Sequence, residues 1–336
     1  MKYIQLTRFQ FILRSLLGSA VKRIIPVKIS QPFPATIGEY HFAKIFTKHS
    51  PKSPYQFALY KSPSGKKVLA KRWTGIVKDF EYLTLANEAH VGQILATAQK
   101  RILHRPLKFK NLKVPTIAQT VSTRFSLTVL FAYKRGKYLT QTTQVNKTTI
   151  YLRCVEYLRF LDNHLTPLEK KQIALRTGND SSFTYPLLLL KAIFTNPQAT
   201  GPLLRAAGVW LKSPAPTSHL TYVLTHRDLH FKNILVDKNH IYIFDFQLAV
   251  RAHPLVEYIT TALSLWHEEK VRAQLLTTIF NEGKLHQVPD AEASRLFIEI
   301  ATHALIDKKV SRQKRLNYIA ALSYGAEFTL PKPVFV

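Results

Sequence analysis

TYVLTHRDLHFKNILVDKNHIYIFDFQL, residues 221–248, is the stretch that decides the fold. An apolar run, Tyr222-Val223-Leu224, leads into His226-Arg227-Asp228. Asn233 follows Asp228 by five residues, and Asp245 follows Asn233 by twelve. A second β-like run, Ile241-Tyr242-Ile243-Phe244, delivers Asp245. Two short strands thus each present a carboxylate, with an amide-bearing residue between them. Asp228 can take a proton from a hydroxyl, and Asn233 and Asp245 offer the hard oxygen ligands that Mg²⁺ prefers. Phosphoryl transfer needs this layout of positioned base and metal ligands, with little covalent work for the protein.

The stretch resembles the catalytic and metal loops of the protein-kinase-like fold. The spacing H-R-D-L-x-x-x-N is complete from His226 to Asn233. The second motif departs from the pattern, with Gln247 after Asp245-Phe246 where glycine is usual. His230 stands where protein kinases usually carry a lysine, and Lys232 lies two residues further on. The pattern H-x-D-x-H-x-x-N is more similar to small-molecule kinases of the aminoglycoside and choline phosphotransferase group and to lipopolysaccharide-core sugar kinases. The resemblance implies an α+β, bilobal protein-kinase-like fold. Its N-lobe would be a small antiparallel β-sheet with one main helix, and its C-lobe mostly helical.

The composition bounds the partners. The 336 residues suit two domains or one large bilobal one, and 46% apolar content is enough for real cores. Lys and Arg number 48 against 20 acidic residues, a net charge of +28. Such a field attracts nucleotides, anionic lipid, phosphorylated sugars or nucleic acid, and repels polycations. Cys154 is the single cysteine, so neither an intrachain disulfide nor a cysteine-based zinc site can form. Its helical context makes it a small core residue, and a reducing compartment fits.

Residues 1–34 read as a basic amphipathic segment, with no acid before Glu39. Leu6, Phe9, Leu13, Leu16, Leu17 and Ala20 fall at helical spacing among Arg8, Arg14, Lys22 and Arg23. The charges interrupt the apolar run too often for a membrane span or a secretory signal. Two readings stand: a helix lying on an anionic membrane face, or one packed on the protein body.

Strands are expected at Tyr40–Thr47, Tyr55–Tyr60 and Lys67–Trp73, the last two joined by the turn Ser62-Pro63-Ser64-Gly65. In the resemblance, Val68-Leu69-Ala70-Lys71 matches the strand whose lysine grips the α- and β-phosphates. Residues 77–97 read as a helix. Glu88, 17 residues after Lys71, resembles the carboxylate that holds that lysine, and Glu81 competes one or two turns earlier. The loop that would cover the phosphates, Lys48-His49-Ser50-Pro51-Lys52-Ser53-Pro54, has no glycine. Residues 100–113 carry six Lys/Arg residues, His104 and no acid, as a candidate anion patch or a solvated loop. Two more strands are expected near 115–121 and 124–133, before Lys134-Arg135-Gly136-Lys137, which resembles the hinge between kinase lobes. The N-lobe would then span 35–134 and the C-lobe 135–336. Helices are expected within 139–212, best patterned at 147–165 and 186–196, and near 254–269, 270–283, 290–306 and 311–325. Glu257 reads as a brace for the catalytic loop.

The resemblance therefore implies an ATP- and Mg²⁺-dependent phosphotransferase that moves the γ-phosphate to an acceptor hydroxyl. Asp228 would be the catalytic base, Asn233 and Asp245 the metal ligands, and Lys71, paired with Glu88, the nucleotide grip. Lys232 or His230 would touch the transferred phosphate. The expected acceptor is a neutral or anionic small molecule or glycolipid sugar, with an anionic membrane surface as a further partner and nucleic acid less favoured. The expected location is cytoplasmic, at the inner face of a membrane or in solution. A protein Ser/Thr kinase would need a glycine loop, a glycine after Asp245-Phe246 and a long activation segment. A non-catalytic pseudokinase or anion-binding module would not need Lys71, Asp228, Asn233 and Asp245 together.

Overall fold

Alternating side chains along one strand organise the N-terminal sheet. In the strand Lys67–Thr74, Val68 and Ala70 face a cluster with Ile37, Tyr40, Ala58, Tyr60 and Leu130. Trp73 faces the opposite way, into a cluster with Leu85, Ala89, Ile117, Leu127 and Val129. Successive side chains of a strand point to opposite faces, so Lys71, two residues from Trp73, shares its face. The computed structural model describes residues 32–46, 53–75, 80–142, 147–175, 179–213, 222–306 and 312–326. The amphipathic segment 1–31 and most of the glycine-free loop, 47–52, lie outside the described residues.

The described residues fall into two compact units, each built from discontinuous chain. The first comprises residues up to Ile173 together with His230–Ala249. Its strands are β1 (Thr36–Ile37), β2 (Tyr40–Ile45), β3 (Gln56–Lys61), β4 (Lys67–Thr74), β6 (Ile117–Ser122) and β7 (Ser126–Ala132). They form one antiparallel sheet in the order β1-β2-β3-β4-β7-β6. The β3–β4 turn closes with Gly65 N–H donating to Ser62 O at 2.9 Å, and Gly65 takes φ +78°, the left-handed region that favours glycine.

Helix α1 (Phe80–Arg101) packs Leu85 and Ala89 on the inner face of this sheet. A second sheet contains β5 (Leu112–Lys113), β8 (Lys137–Tyr138), β10 (Ile234–Val236) and β11 (Ile241–Ile243). Gly136 precedes β8 because a Cβ there would lie 2.6 Å from the Val236 carbonyl. Helices α2 (Lys147–Asn163) and α3 (Pro167–Gln172) complete the unit. Cys154 is fully buried in α2, and burial pushes its thiol pKa up.

The second unit comprises Ala174–Leu229 and the chain from Val250 onward. It pairs β9 (Val223–Thr225) with β12 (Val250–Ala252). Around them lie α4 (Asn179–Thr195), α5 (Thr200–Lys212), α6 (Val256–Ser264), α7 (Glu269–Leu285), α8 (Asp290–Leu305) and α9 (Arg312–Ala326). The expected α+β organisation, an antiparallel sheet early and helices late, is therefore present. Among the described residues, no helix is long and apolar enough to cross a membrane.

Candidate active site

The site in the first unit begins with one buried lysine. Lys71 Nζ lies 2.7 Å from Glu88 Oε2 and 2.7 Å from Asp245 Oδ1. β4 turns Lys71 toward α1, and helical periodicity puts Glu88 on the turn after Leu85, both facing the sheet. Glu81, the competing partner in the sequence, instead uses its backbone carbonyl to accept from Tyr55 Oη at 3.0 Å. Burial opposes the charge on Lys71, but the Glu88 and Asp245 carboxylates outweigh it and hold its pKa above the ordinary lysine value. Burial pushes the Glu88 carboxyl up to about 7, against the pull of Lys71.

The hairpin β10–β11 brings the two expected metal ligands to one end. Ile234 pairs with Ile243, and Phe244 N–H donates to Asn233 O at 2.9 Å. Asn233 therefore stands at the mouth of the hairpin one residue before β10, and Asp245 two residues after β11. The closed end is an Asx turn, with Asp237 Oδ1 accepting from Asn239 N–H and His240 N–H at 2.8 and 2.6 Å. Asp245 adopts φ +67° and ψ +52°, a left-handed conformation that is costly for a non-glycine residue. A carboxylate and an amide at one hairpin mouth are hard oxygen donors and fit Mg²⁺ chemically. Among the described residues no group of three or more His, Cys, Asp or Glu could hold a metal alone. Mg²⁺ commonly draws its remaining ligands from phosphates and water.

Two residues with no counterpart in the sequence reading complete this region. Asn87 Nδ2 donates to the carbonyls of Gln247 at 3.0 Å, Ala249 at 3.1 Å and Phe246 at 3.4 Å. Consecutive residues of α1, Asn87 and Glu88, thus hold the segment after Asp245 and, through Lys71, Asp245 itself. Tyr55 places its ring 4.9 Å from Lys71 Nζ and its hydroxyl 2.8 Å from Thr84 Oγ1. Burial lifts the Tyr55 pKa to about 12. Neither residue carries a spacing signal; Asn87 is only a polar residue beside Glu88.

His230, half-buried, precedes the 3-10 turn Phe231–Asn233, in which Lys232 is exposed and Asn233 buried. Phe231 anchors this turn edge-on against Tyr151 of α2, with ring centroids 6.5 Å apart.

In the second unit, Glu257 of α6 braces the loop that carries Asp228. Its Oε2 accepts from Arg227 N–H at 2.8 Å, and the backbones of His226 and Leu229 also donate to it. Glu257 is buried, which raises its pKa against the opposing pull of His226 and these N–H groups. Arg227 is held at φ +62°. Asp228, half-buried, sits between the braced residues.

Residues 195–297 match the phosphotransferase enzyme family (APH). The matched segment is a minority of the chain but contains the whole His226–Asp245 stretch. Among solved structures, the chain is similar to the microcompartment-associated aminopropanol kinase, at 13% identity and a TM-score of 0.56, covering 92% of this chain and 95% of that one. It is also similar to a thermostable variant of aminoglycoside phosphotransferase APH(4)-Ia in a ternary complex with ADP and hygromycin B. That match has 10% identity and a TM-score of 0.55, and covers 85% of this chain and 94% of that one. No curated protein matches the chain by sequence. The resemblance to the kinase-like fold is borne out by these structures, and the resemblance to phosphotransferases by the family match over residues 195–297.

Proposed function

We propose that this chain is an ATP- and Mg²⁺-dependent phosphotransferase that moves a γ-phosphate to an alcohol hydroxyl. The observation that carries the reading is Lys71, buried and flanked at 2.7 Å by both Glu88 and Asp245. A lysine held by one carboxylate and reaching the metal-binding one is the arrangement that aligns nucleotide phosphates in kinase-like enzymes. In this reading 35–134 is the N-lobe and 135–336 the C-lobe. Glu88 orients Lys71, and Lys71 grips the α- and β-phosphates. Asn233 and Asp245 hold Mg²⁺, which when bound neutralises charge on the phosphate oxygens. Asp228 orients the acceptor hydroxyl and accepts its proton, while His230 and Lys232 contact the transferred phosphate.

The net charge of +28 favours a neutral or anionic acceptor, a small molecule or glycolipid sugar, over a polycation such as an aminoglycoside. The protein would act in the cytoplasm, in solution or at the inner face of a membrane.

Saturating Mg-ATP should raise the melting temperature of the full chain by a few degrees, because a ligand at 100 times its Kd stabilises by about 2.7 kcal/mol. Asp245→Ala should remove that shift and lower phosphoryl transfer, read by mass spectrometry over a panel of sugars and lipids. The loss should be on the order of 10²–10⁴, the usual scale of an acid–base or comparable group. An unshifted wild-type melt, or full turnover in Asp245→Ala, would overturn the reading.

A further inference from the structure

The helical hairpin α4–α5 of the second unit carries a feature that the phosphotransferase reading does not use. Its inner face is fixed to α8. Tyr185 stacks on Trp210 with ring centroids 4.5 Å apart, and Trp210 Nε1 donates to Glu299 Oε1 at 2.7 Å. Arg295 lies 4.3 Å from the Trp210 ring and donates to Ser213 O at 3.1 Å. Asn196, at the hairpin bend, donates to Leu305 O at 3.0 Å.

The outer face is apolar. Leu187, Leu190 and Phe194 of α4 follow i, i+3, i+7 spacing, and Leu204 and Leu211 of α5 are seven apart, so each set lies along one helix face. Their exposures are 39, 53, 81, 56 and 74% respectively. Single exposed leucines are ordinary, but five large apolar side chains exposed on two packed helices are a surface that an apolar environment would cover.

The charge around this surface selects among possible covers. Arg205 and Lys212 are exposed beside Leu204 and Leu211, Lys191 lies next to Leu190, and the two helices hold a single acid, Asp180, in the first turn of α4. The acid on the neighbouring helix, Glu299, is engaged by Trp210 and by Arg295 Nε at 3.2 Å. Exposed leucines and a phenylalanine flanked by Lys191, Arg205 and Lys212 are complementary to a leaflet with an apolar interior and anionic headgroups.

We propose that the outer face of α4–α5 docks on an anionic lipid surface, with Leu190, Phe194, Leu204 and Leu211 entering the headgroup boundary and Arg205 and Lys212 meeting lipid phosphates. This does not rest on the phosphotransferase reading, because none of these residues belongs to the proposed site.

The test is flotation of the full chain with vesicles of phosphatidylcholine alone or of phosphatidylcholine with 30% phosphatidylglycerol, a composition of about one anionic lipid in three. The expected result is at least tenfold stronger binding to the anionic vesicles, with a further tenfold loss in Phe194→Ser/Leu204→Ser/Leu211→Ser. That variant should keep the wild-type far-ultraviolet circular dichroism and cooperative melt. Arg205→Gln/Lys212→Gln, which leaves the apolar side chains intact, should weaken binding to the anionic vesicles only. Failure of the wild type to float would overturn the proposal. So would equal flotation of the serine variant, which would place lipid binding elsewhere on the basic chain. A dimer abolished by the serine substitutions, without vesicle binding, would identify a second copy as the cover and would also overturn it.

Discussion

Lys71 is where the chain's electrostatics concentrate. One cation is buried between two carboxylates, so its neighbours carry the excess charge. Removing one partner of a buried pair leaves the rest uncompensated and typically costs 3–5 kcal/mol. Lys71→Met should therefore destabilise the protein by about 3 kcal/mol at pH 7.5, the low end because Asp245 is 32% exposed. The deficit should shrink as pH falls, since the stranded carboxylates can then protonate; urea unfolding at several pH values reads both effects. Equal stability of variant and wild type would show that the cluster is not energetically coupled. In the wild type, Glu88 has its pKa raised from 4.5 to about 7, so the folded chain holds that proton more firmly than the unfolded one. The contribution of this group is complete below about 4.5 and declines as pH rises through 7. Lys71, also raised, contributes fully below 10.5 and loses its contribution as pH rises beyond.

At the scale of elements, α1 is tied through Asn87 in its N-terminal half and through Arg101 at its C-terminal end. Asn87 holds three carbonyls of the 246–249 segment, more acceptors than a single side chain usually serves. Asn87→Ala should cost about 1–3 kcal/mol, the scale of leaving buried polar groups unsatisfied. It should also lower phosphoryl transfer roughly 10- to 100-fold through displacement of Asp245, with the apparent Mg²⁺ requirement rising. A loss of stability without a changed Mg²⁺ requirement would make Asn87 structural only. The C-terminal end of α1 is held by Arg101, whose Nη1 and Nη2 donate to Glu169 Oε1 and Oε2 at 3.0 and 2.8 Å. Glu169 also closes a capping box with Thr166 at the start of α3. The Arg101 guanidinium holds the Glu169 carboxyl down at about 2, burial opposing it and the Thr166 bonds assisting. The depressed pKa means this stabilisation is present above 4.5 and lost as pH falls toward 2. Glu169→Gln should lower stability by roughly 1 kcal/mol at pH 7, as expected for a largely solvent-accessible pair. Wild type and variant should converge in melting temperature below about pH 3; a gap that persists there would assign the effect to packing. The same pair accounts for part of the basic run 100–113. Arg101 and Lys108 meet Glu169 and Glu156 at 2.8 Å each, so that run is partly neutralised and is not an open anion patch along its length.

Over the whole molecule, a charge of +28 on 336 residues sets a field that acts on any anionic ligand. ATP affinity should fall several-fold between about 50 and 500 mM NaCl, because the screening length shrinks from above 10 Å to a few ångströms. Isothermal titration at the two salt concentrations measures this, and the slope should persist in Asp228→Asn. A flat salt response would mean that local groups, not the overall field, capture the nucleotide.

Much of the architecture is local in origin, and so it was readable. The strands at 40–45, 56–61, 67–74, 117–122 and 126–132 fall inside or within a residue or two of the expected runs, because alternation of apolar side chains is a property of neighbours in sequence. The late helices at 269–285, 290–305 and 312–326 follow their 3.6-residue pattern for the same reason. The spacing from His226 to Asp245 is equally local, since one turn and one hairpin connect its parts.

Other features needed the folded chain. Lys71 and Glu88 are linked by a spacing of 17, but whether Glu81 or Glu88 meets the lysine depends on how α1 is rotated on the sheet, which Leu85, Ala89 and Trp73 decide by packing. The direct contact of Lys71 with Asp245 spans 174 residues, and the Asn87 clamp spans about 160. No periodicity encodes such pairs. The two compact units likewise each join stretches of chain that are far apart in sequence, 1–173 with 230–249 and 174–229 with 250–336. The sequence alone determined the elements, the motif and the charge. Only the tertiary structure decided which faces meet, because burial selects partners by shape and distance in space, not by separation along the chain.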